Sequence, residues 1–272
     1  LISLSRVTAG KGLSWPEFVA LAATTGYDAV DVELHPARDA GVERTKALFA
    51  EHRIAPGCCG VPVEFRKDDA TFAADMEELA AFAALARDLD CPRMATWVPP
   101  AWETPAEQMR DILRKRFTAI ADVLATCGVS LGLEFISPQH LREQGHPCVW
   151  QMADMLALCE QCGDNVGLLL DCWHWHHDPD HTVDAIVRAG RERIVTVHLN
   201  DSPDLPPSEI RDNQRVLPGE GVIDLTGFVG ALKTIGYDGA VTLEIFGRLD
   251  DLSPAEAARS ALDATRSVLS AC

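Results

Sequence analysis

Short apolar runs alternate along this chain with longer segments whose apolar residues recur at helical spacing. That alternation is the rhythm of an α/β fold. Residues 1–6, 29–34, 54–61 and 93–98 read as the first four strands. Helices are predicted at 14–25, 41–52, 70–89 and 105–127, with Ser14 as an N-cap, Gly26 past the first helix and Pro105 in the first turn of the last. Four more runs follow, at 131–135, 166–171, 194–198 and 240–244, each apolar enough for a fully buried parallel strand. Their helices are predicted at 148–162, 181–189, 225–235 and 254–269.

Eight such units without a linker predict one (β/α)8 TIM barrel domain spanning residues 1–272, a typical length for that fold. A doubly wound open sheet is the alternative, but it brings the ends of strands five to eight to one place less readily. Two long connections, at 138–147 and 202–221, follow strands five and seven, where loops build barrel sites.

Each of the last four strands delivers a metal-grade side chain at or near its C-terminal end: Glu134, Asp171, His198 and Glu244. They are 37, 27 and 46 residues apart, one per repeat, since a βαβ unit needs about 30 residues or more. C-terminal strand ends converge on one mouth of a barrel. Three carboxylates and one imidazole suit a single divalent cation, Mn²⁺ or Zn²⁺ first and Mg²⁺ or Co²⁺ next. A cation that holds a carbonyl oxygen and the neighbouring hydroxyl acidifies the C–H between them. Glu134 and Glu244, facing each other across a substrate, could then remove and return a proton through a metal-bound cis-enediolate. Burying four such groups merely as structure is costly when they are unpaired.

Further candidates cluster nearby. His174, three residues after Asp171, is expected to donate to a substrate hydroxyl or to support the metal ligands. His176 and His177 read as loop residues. Arg215, in the long loop, is a candidate to bind a substrate oxygen or to neutralise enediolate charge, and His140 a candidate to touch substrate. Asp201 is expected to hold either the metal shell or its own loop. Glu33 and His35 end the second predicted strand and could reach the mouth. Trp15, Trp97, Trp102, Trp173 and Trp175 stack on a sugar ring or fill core.

Composition narrows the partners. A formal net charge of −17 repels phosphate backbones and anionic lipid, so nucleic acid and membrane are excluded as expected partners. No apolar stretch reaches the roughly 18 residues of a membrane span. The first residues lack the regions of a signal peptide, although the chain starts at Leu1 and a leader trimmed ahead of it is left open. Nine cysteines, an odd number in largely apolar settings, predict reduced thiols and a cytoplasmic location. Cys159 and Cys162 form a lone CxxC with no second pair to complete a zinc site.

The order of Glu134, Asp171-x-x-His174, His198-Leu199-Asn200-Asp201, Arg215 with Pro218-Gly219-Glu220-Gly221, and Glu244 resembles the sugar phosphate isomerase/epimerase superfamily, the xylose isomerase-like barrels. Within it the likeness is greatest to the inosose isomerase (2-keto-myo-inositol isomerase) group, through Asp171-x-x-His174-x-His176 and the segment Arg215 to Leu225. The resemblance implies one divalent metal on Glu134, Asp171, His198 and Glu244, proton transfer by the two glutamates, and His174 and Arg215 beside a small sugar or polyol. It also implies self-association into a homo-oligomer. Ketose 3-epimerases of this group carry a glutamate where this chain has His140, six residues after Glu134. Endonuclease IV, another member, needs further histidines where this chain offers Cys59 and Thr96-Trp97. The expected activity is therefore isomerisation or epimerisation of a keto-sugar or inosose. A dehydratase of the 3-dehydroshikimate type is the alternative on the same scaffold, and a non-catalytic sugar-binding barrel a more distant one.

Overall fold

The computed structural model describes residues 1–272. Eight parallel strands close into a barrel in sequence order: β1 (Ile2–Leu4), β2 (Ala29–Val32), β3 (Ala55–Gly60), β4 (Arg93–Trp97), β5 (Ser130–Glu134), β6 (Val166–Asp171), β7 (Ile194–Leu199) and β8 (Val241–Leu243). β8 pairs with β1, Ile2 opposite Val241, and so shuts the sheet. Every residue of β6 and β7 is buried, as the unbroken apolar runs require of strands covered on both faces.

The main core of 65 buried residues packs the outer strand faces against the surrounding helices. Inside the barrel, Cys58, Ala95 and Leu169 form a small separate apolar cluster. Gly132 on β5 is part of this tight interior, because a Cβ there would meet Ala95 Cβ at 3.2 Å and the Leu169 amide at 3.3 Å.

The helices begin and end where their chemistry says they should. Trp15–Thr25 starts from Ser14, whose hydroxyl and amide both reach the Glu17 carboxylate, and stops at Gly26, which takes φ 104°. Pro254–Ala271 starts from the same reciprocal pair, Ser253 and Glu256. Strand β1 is shorter than expected because the chain turns at once into the short helix Arg6–Ala9. Four short α-helices were not expected, Arg6–Ala9 and, after β5, Gln139–Arg142 among them. Leu34–Ala40 follows β2 directly, and Cys172–His177 follows β6, so His176 and His177 are helical rather than loop residues. A short antiparallel pair, Ala101–Trp102 with His146–Pro147, ties the loops after β4 and β5 together above the mouth. No helix is long and apolar enough to cross a membrane. All nine cysteines are unpaired. Burial pushes the Cys159 and Cys162 thiols up, which suits inert core thiols and not a redox pair.

Candidate metal centre and cleft

Strand register sets the centre. Asp171, the last residue of β6, lies opposite His198 on β7, and His198 lies opposite Thr242 on β8, two residues before Glu244. Glu134 closes β5. One ligand atom from each of Glu134, Asp171, His198 and Glu244 falls within 4.8 Å of the others. His198 Nδ1 is 3.1 Å from Glu244 Oε2, 3.6 Å from Glu134 Oε1 and 3.7 Å from Asp171 Oδ2. Yet His198 Nδ1 and Glu134 Oε1 are buried and make no hydrogen bond. Donors about 2.1 Å from a shared cation at tetrahedral angles would stand about 3.4 Å apart. The side chains thus aim at a common point rather than at each other, and the residues fit a divalent ion.

Three groups hold Asp171 in place. Its Oδ1 accepts from the Trp173 amide at 2.6 Å, Asn200 Nδ2 lies 3.2 Å from both carboxylate oxygens, and Arg215 Nη1 donates to Oδ2 at 2.8 Å. Such outer partners orient a ligating carboxylate. Arg215 Nη1 also donates to Glu244 Oε2 at 2.8 Å, and Nη2 to Asp212 Oδ1 at 3.0 Å. Nη2 further lies 3.3 Å from His174 Nε2. Since a guanidinium only donates, His174 Nε2 accepts, and Nδ1 carries the proton. That Nδ1 is buried and unpartnered.

The charges divide the two glutamates. Burial, helped by the nearby Glu244 charge, raises Glu134 above the usual carboxylate range. Burial opposes ionisation of Glu244 as well, but His198 and Arg215 outweigh it and hold that carboxyl well below its usual range. Burial would likewise lower His198, yet Glu244 and Glu134 carry it well above the ordinary imidazole value.

The cluster opens into a cleft of about 400 Å³. Its floor is Glu134, Glu244, His174, Asp212 and Arg215, and one wall is apolar, with Trp97, Ile136, Leu141 and Phe246. His174 and Arg215 therefore reach the place expected of them. His140 does not line the cleft: it sits on the short helix Gln139–Arg142, whose Leu141 faces the cleft, as does Gln144 just beyond it. Glu33 and His35 are also elsewhere. Glu33 ion-pairs with Arg6, and exposed His35 packs on Phe82, because Leu34–Ala40 carries the chain away from the mouth. Of the tryptophans, Trp97 lines the cleft, while Trp15, Trp173 and Trp175 are buried. Asp201 holds its loop, not the metal shell, by accepting from the amides of Ser202, Gly219, Gly221 and Ile223 at 2.8–3.1 Å.

Asp212 and Phe246 are among the cleft residues that the sequence did not mark. Asp212 had no motif to mark it, although its spacing of three from Arg215 is that of an ion pair within one turn. Phe246, two residues past Glu244, carried only the signal of an aromatic beside a strand end.

The model of the xylose isomerase-like TIM barrel family matches residues 19–268. The chain belongs to that family. It is 29% identical over 257 residues to the inosose isomerase of Halalkalibacterium halodurans, covering 90% of this chain and 88% of the other. A xylose isomerase domain protein from Alicyclobacillus acidocaldarius has the same fold with a TM-score of 0.90 at 27% identity, covering 99% and 98% of the two chains. The crystal structure of an IOLI protein with a zinc atom superposes with a TM-score of 0.83 at 22% identity, covering 99% and 98%. This xylose isomerase-like barrel thus carries its cluster at the C-terminal strand ends, where barrels of this kind hold their sites.

Proposed function

We propose that the protein is a divalent-metal-dependent isomerase or epimerase of an uncharged keto-sugar or inosose. The convergence of Glu134, Asp171, His198 and Glu244 on one point at the base of the cleft carries this reading. Those four residues would hold the ion, which, when bound, acidifies the C–H between a substrate carbonyl and its neighbouring hydroxyl.

The chain's own groups then account for the rest. Glu244, whose carboxylate pairs with Arg215, removes the proton. Glu134, across the cluster, takes the complementary part and returns a proton to the adjacent carbon or to the opposite face of the cis-enediolate. His174, buried at the cleft floor, accepts from Arg215 and helps to aim that guanidinium beside the substrate. The apolar wall of Trp97, Ile136 and Phe246 takes the carbon face of the substrate.

Substrate charge follows from what the cleft lacks. Arg215 is the one lysine or arginine that lines it, and Asp171, Glu244 and Asp212 already neutralise it. The Gly219 and Gly221 amides, candidates for a phosphate cradle, are taken by Asp201. Neither a phosphate nor the carboxylate of a 3-dehydroshikimate-type substrate meets a free cation there, which favours an isomerase over a dehydratase. The relationship to an inosose isomerase supports the same class.

The test is metal content of protein purified without added metal, followed by solvent deuterium exchange into a panel of inososes and keto-sugars. About one ion per chain, weakened by Glu244→Gln, with exchange into at least one compound, is expected. Failure to bind Mn²⁺ or Zn²⁺ after soaking would sink the reading.

A further inference from the structure

The cleft lies on one side of the ligand cluster. On the other side, over β2 to β4, is a second lobe of about 200 Å³ bordered by Asp31, Cys58 and Thr96 and, from the cluster itself, by Glu134, His198 and Glu244. Trp97, Glu134 and Glu244 border both lobes, so the two meet at the centre.

Asp31 is the one charged residue of this lobe outside the cluster. It points inward from β2, beneath the mouth. Ser3 Oγ from β1 and Thr242 Oγ1 from β8 both donate to its Oδ1 at 3.1 Å. Its Oδ2 accepts no hydrogen bond, and Asp31 takes part in no ion pair. Its barrel-interior neighbours Cys58, Ala95 and Leu169 are apolar and offer it nothing. Asp31 is half-buried, and its Oδ2 opens onto the lobe rather than being sealed in the interior. Bracing Ser3 and Thr242 requires only Oδ1. Asp31 also lies outside the group whose atoms gather within 4.8 Å, so it is not a fifth ligand. What remains unexplained is an acceptor oxygen facing open space beside the reaction centre.

We propose that this lobe is a second, hydroxyl-recognising subsite, in which Asp31 Oδ2 accepts a hydrogen bond from the end of the substrate remote from His174 and Arg215. The inference rests on the isomerase reading and sharpens it. The ligand spans the cluster, is polyhydroxylated, and presents a hydroxyl donor at its far end. An anionic group there would meet Asp31 with the wrong sign.

The experiment uses the Mn²⁺-loaded protein, its Asp31→Leu and Asp31→Asn variants, and an inosose together with derivatives lacking one hydroxyl each. Asp31→Leu is close in volume but cannot accept. It is expected to raise KM for the fully hydroxylated inosose by about ten- to a hundredfold, with Mn²⁺ affinity unchanged. For one deoxy derivative, wild type and Asp31→Leu should share the same KM. Asp31→Asn keeps an acceptor for Ser3 and Thr242 and should lie between them. An unchanged KM in Asp31→Leu overturns the subsite, as does an equal loss for every derivative together with weaker Mn²⁺ binding, which would mark Asp31 as a brace. If the wild type exchanges protons with no inosose or keto-sugar, the isomerase reading fails and takes this inference with it. Turnover by wild type with Asp31→Leu unaffected overturns this inference alone.

Discussion

Arg215 Nη1 bridges Asp171 and Glu244, donating to a carboxylate oxygen of each at 2.8 Å. One guanidinium, 1% exposed, thereby offsets the charge of two of the four cluster residues and reaches Asp212 as well. Removing one partner of a buried ion pair leaves uncompensated charge. Arg215→Met should therefore destabilise the metal-free protein by about 3–5 kcal/mol. A bound divalent cation supplies the missing positive charge, so the loss should shrink on addition of Mn²⁺. Urea unfolding with a chelator and with Mn²⁺ measures both. An equal loss in the two conditions would show that Arg215 and the ion do not share these carboxylates.

The unequal environments of the two glutamates predict unequal consequences. Glutamine keeps the shape of each side chain but cannot exchange a proton. Glu134→Gln and Glu244→Gln should each reduce proton exchange by about 10²–10⁴-fold, the usual range for one acid or base. Glu244 also accepts from Arg215 Nη1 at 2.8 Å, whereas Glu134 Oε1 makes no hydrogen bond without metal. Glu244→Gln should accordingly lower the stability of the metal-free protein, and Glu134→Gln should not. Thermal unfolding with a chelator distinguishes them. Retention of more than about a tenth of wild-type exchange by either variant would remove that residue from the proton path.

Metal loading should depend on pH through His198. The imidazole is raised well above its ordinary value in the metal-free site, because Glu244 and Glu134 outweigh the effect of burial. A ligating imidazole must be neutral, so the cation has to displace that proton. Affinity for Mn²⁺ is expected to rise with pH, by about tenfold per unit while a single proton is released. Titration calorimetry in buffers of differing ionisation enthalpy counts the protons directly. Affinity that stays flat between about pH 6 and about pH 8 would mean that His198 is already neutral before the metal arrives.

The barrel was legible because buried parallel strands must be apolar throughout, and a carboxylate or imidazole that ends such a run stands out. Glu134, Asp171, His198 and Glu244 were found on that signal, and the closed sheet with its paired register explains why they meet. What was missed depends on backbone direction. The helix Leu34–Ala40 carries Glu33 and His35 away from the mouth, while Asp31, two residues earlier, turns inward. Alternation along β2 fits either inward set, and Asp31 looks like an ordinary polar residue on an exposed face. The helix Cys172–His177 was hidden because three histidines and two tryptophans in six residues carry no helical period. His140 had the right distance from Glu134 in sequence, but a single turn of helix presents Leu141 to the cleft instead.

Asp201 links that fold to the site. Its backbone pairs with Val216, the neighbour of Arg215, in both directions at 3.0 and 2.9 Å. Its carboxylate gathers four amides, Gly219 and Gly221 on Oδ2 and Ser202 and Ile223 on Oδ1. In Asp201→Asn one oxygen becomes an NH₂ group that faces two N–H donors, so at least two bonds are lost. Hydrogen bonds to a charged group contribute roughly 1.5–3 kcal/mol, and a comparable fall in stability is expected. The same change loosens the segment that aims Arg215 at Asp171 and Glu244, so kcat should fall with the four metal ligands intact. Asp201→Glu keeps the charge but overfills the loop and should not restore it. Urea unfolding together with kcat, KM and Mn²⁺ stoichiometry on the same preparations tests the link. Normal kcat in a destabilised Asp201→Asn would confine Asp201 to the loop and detach it from Arg215.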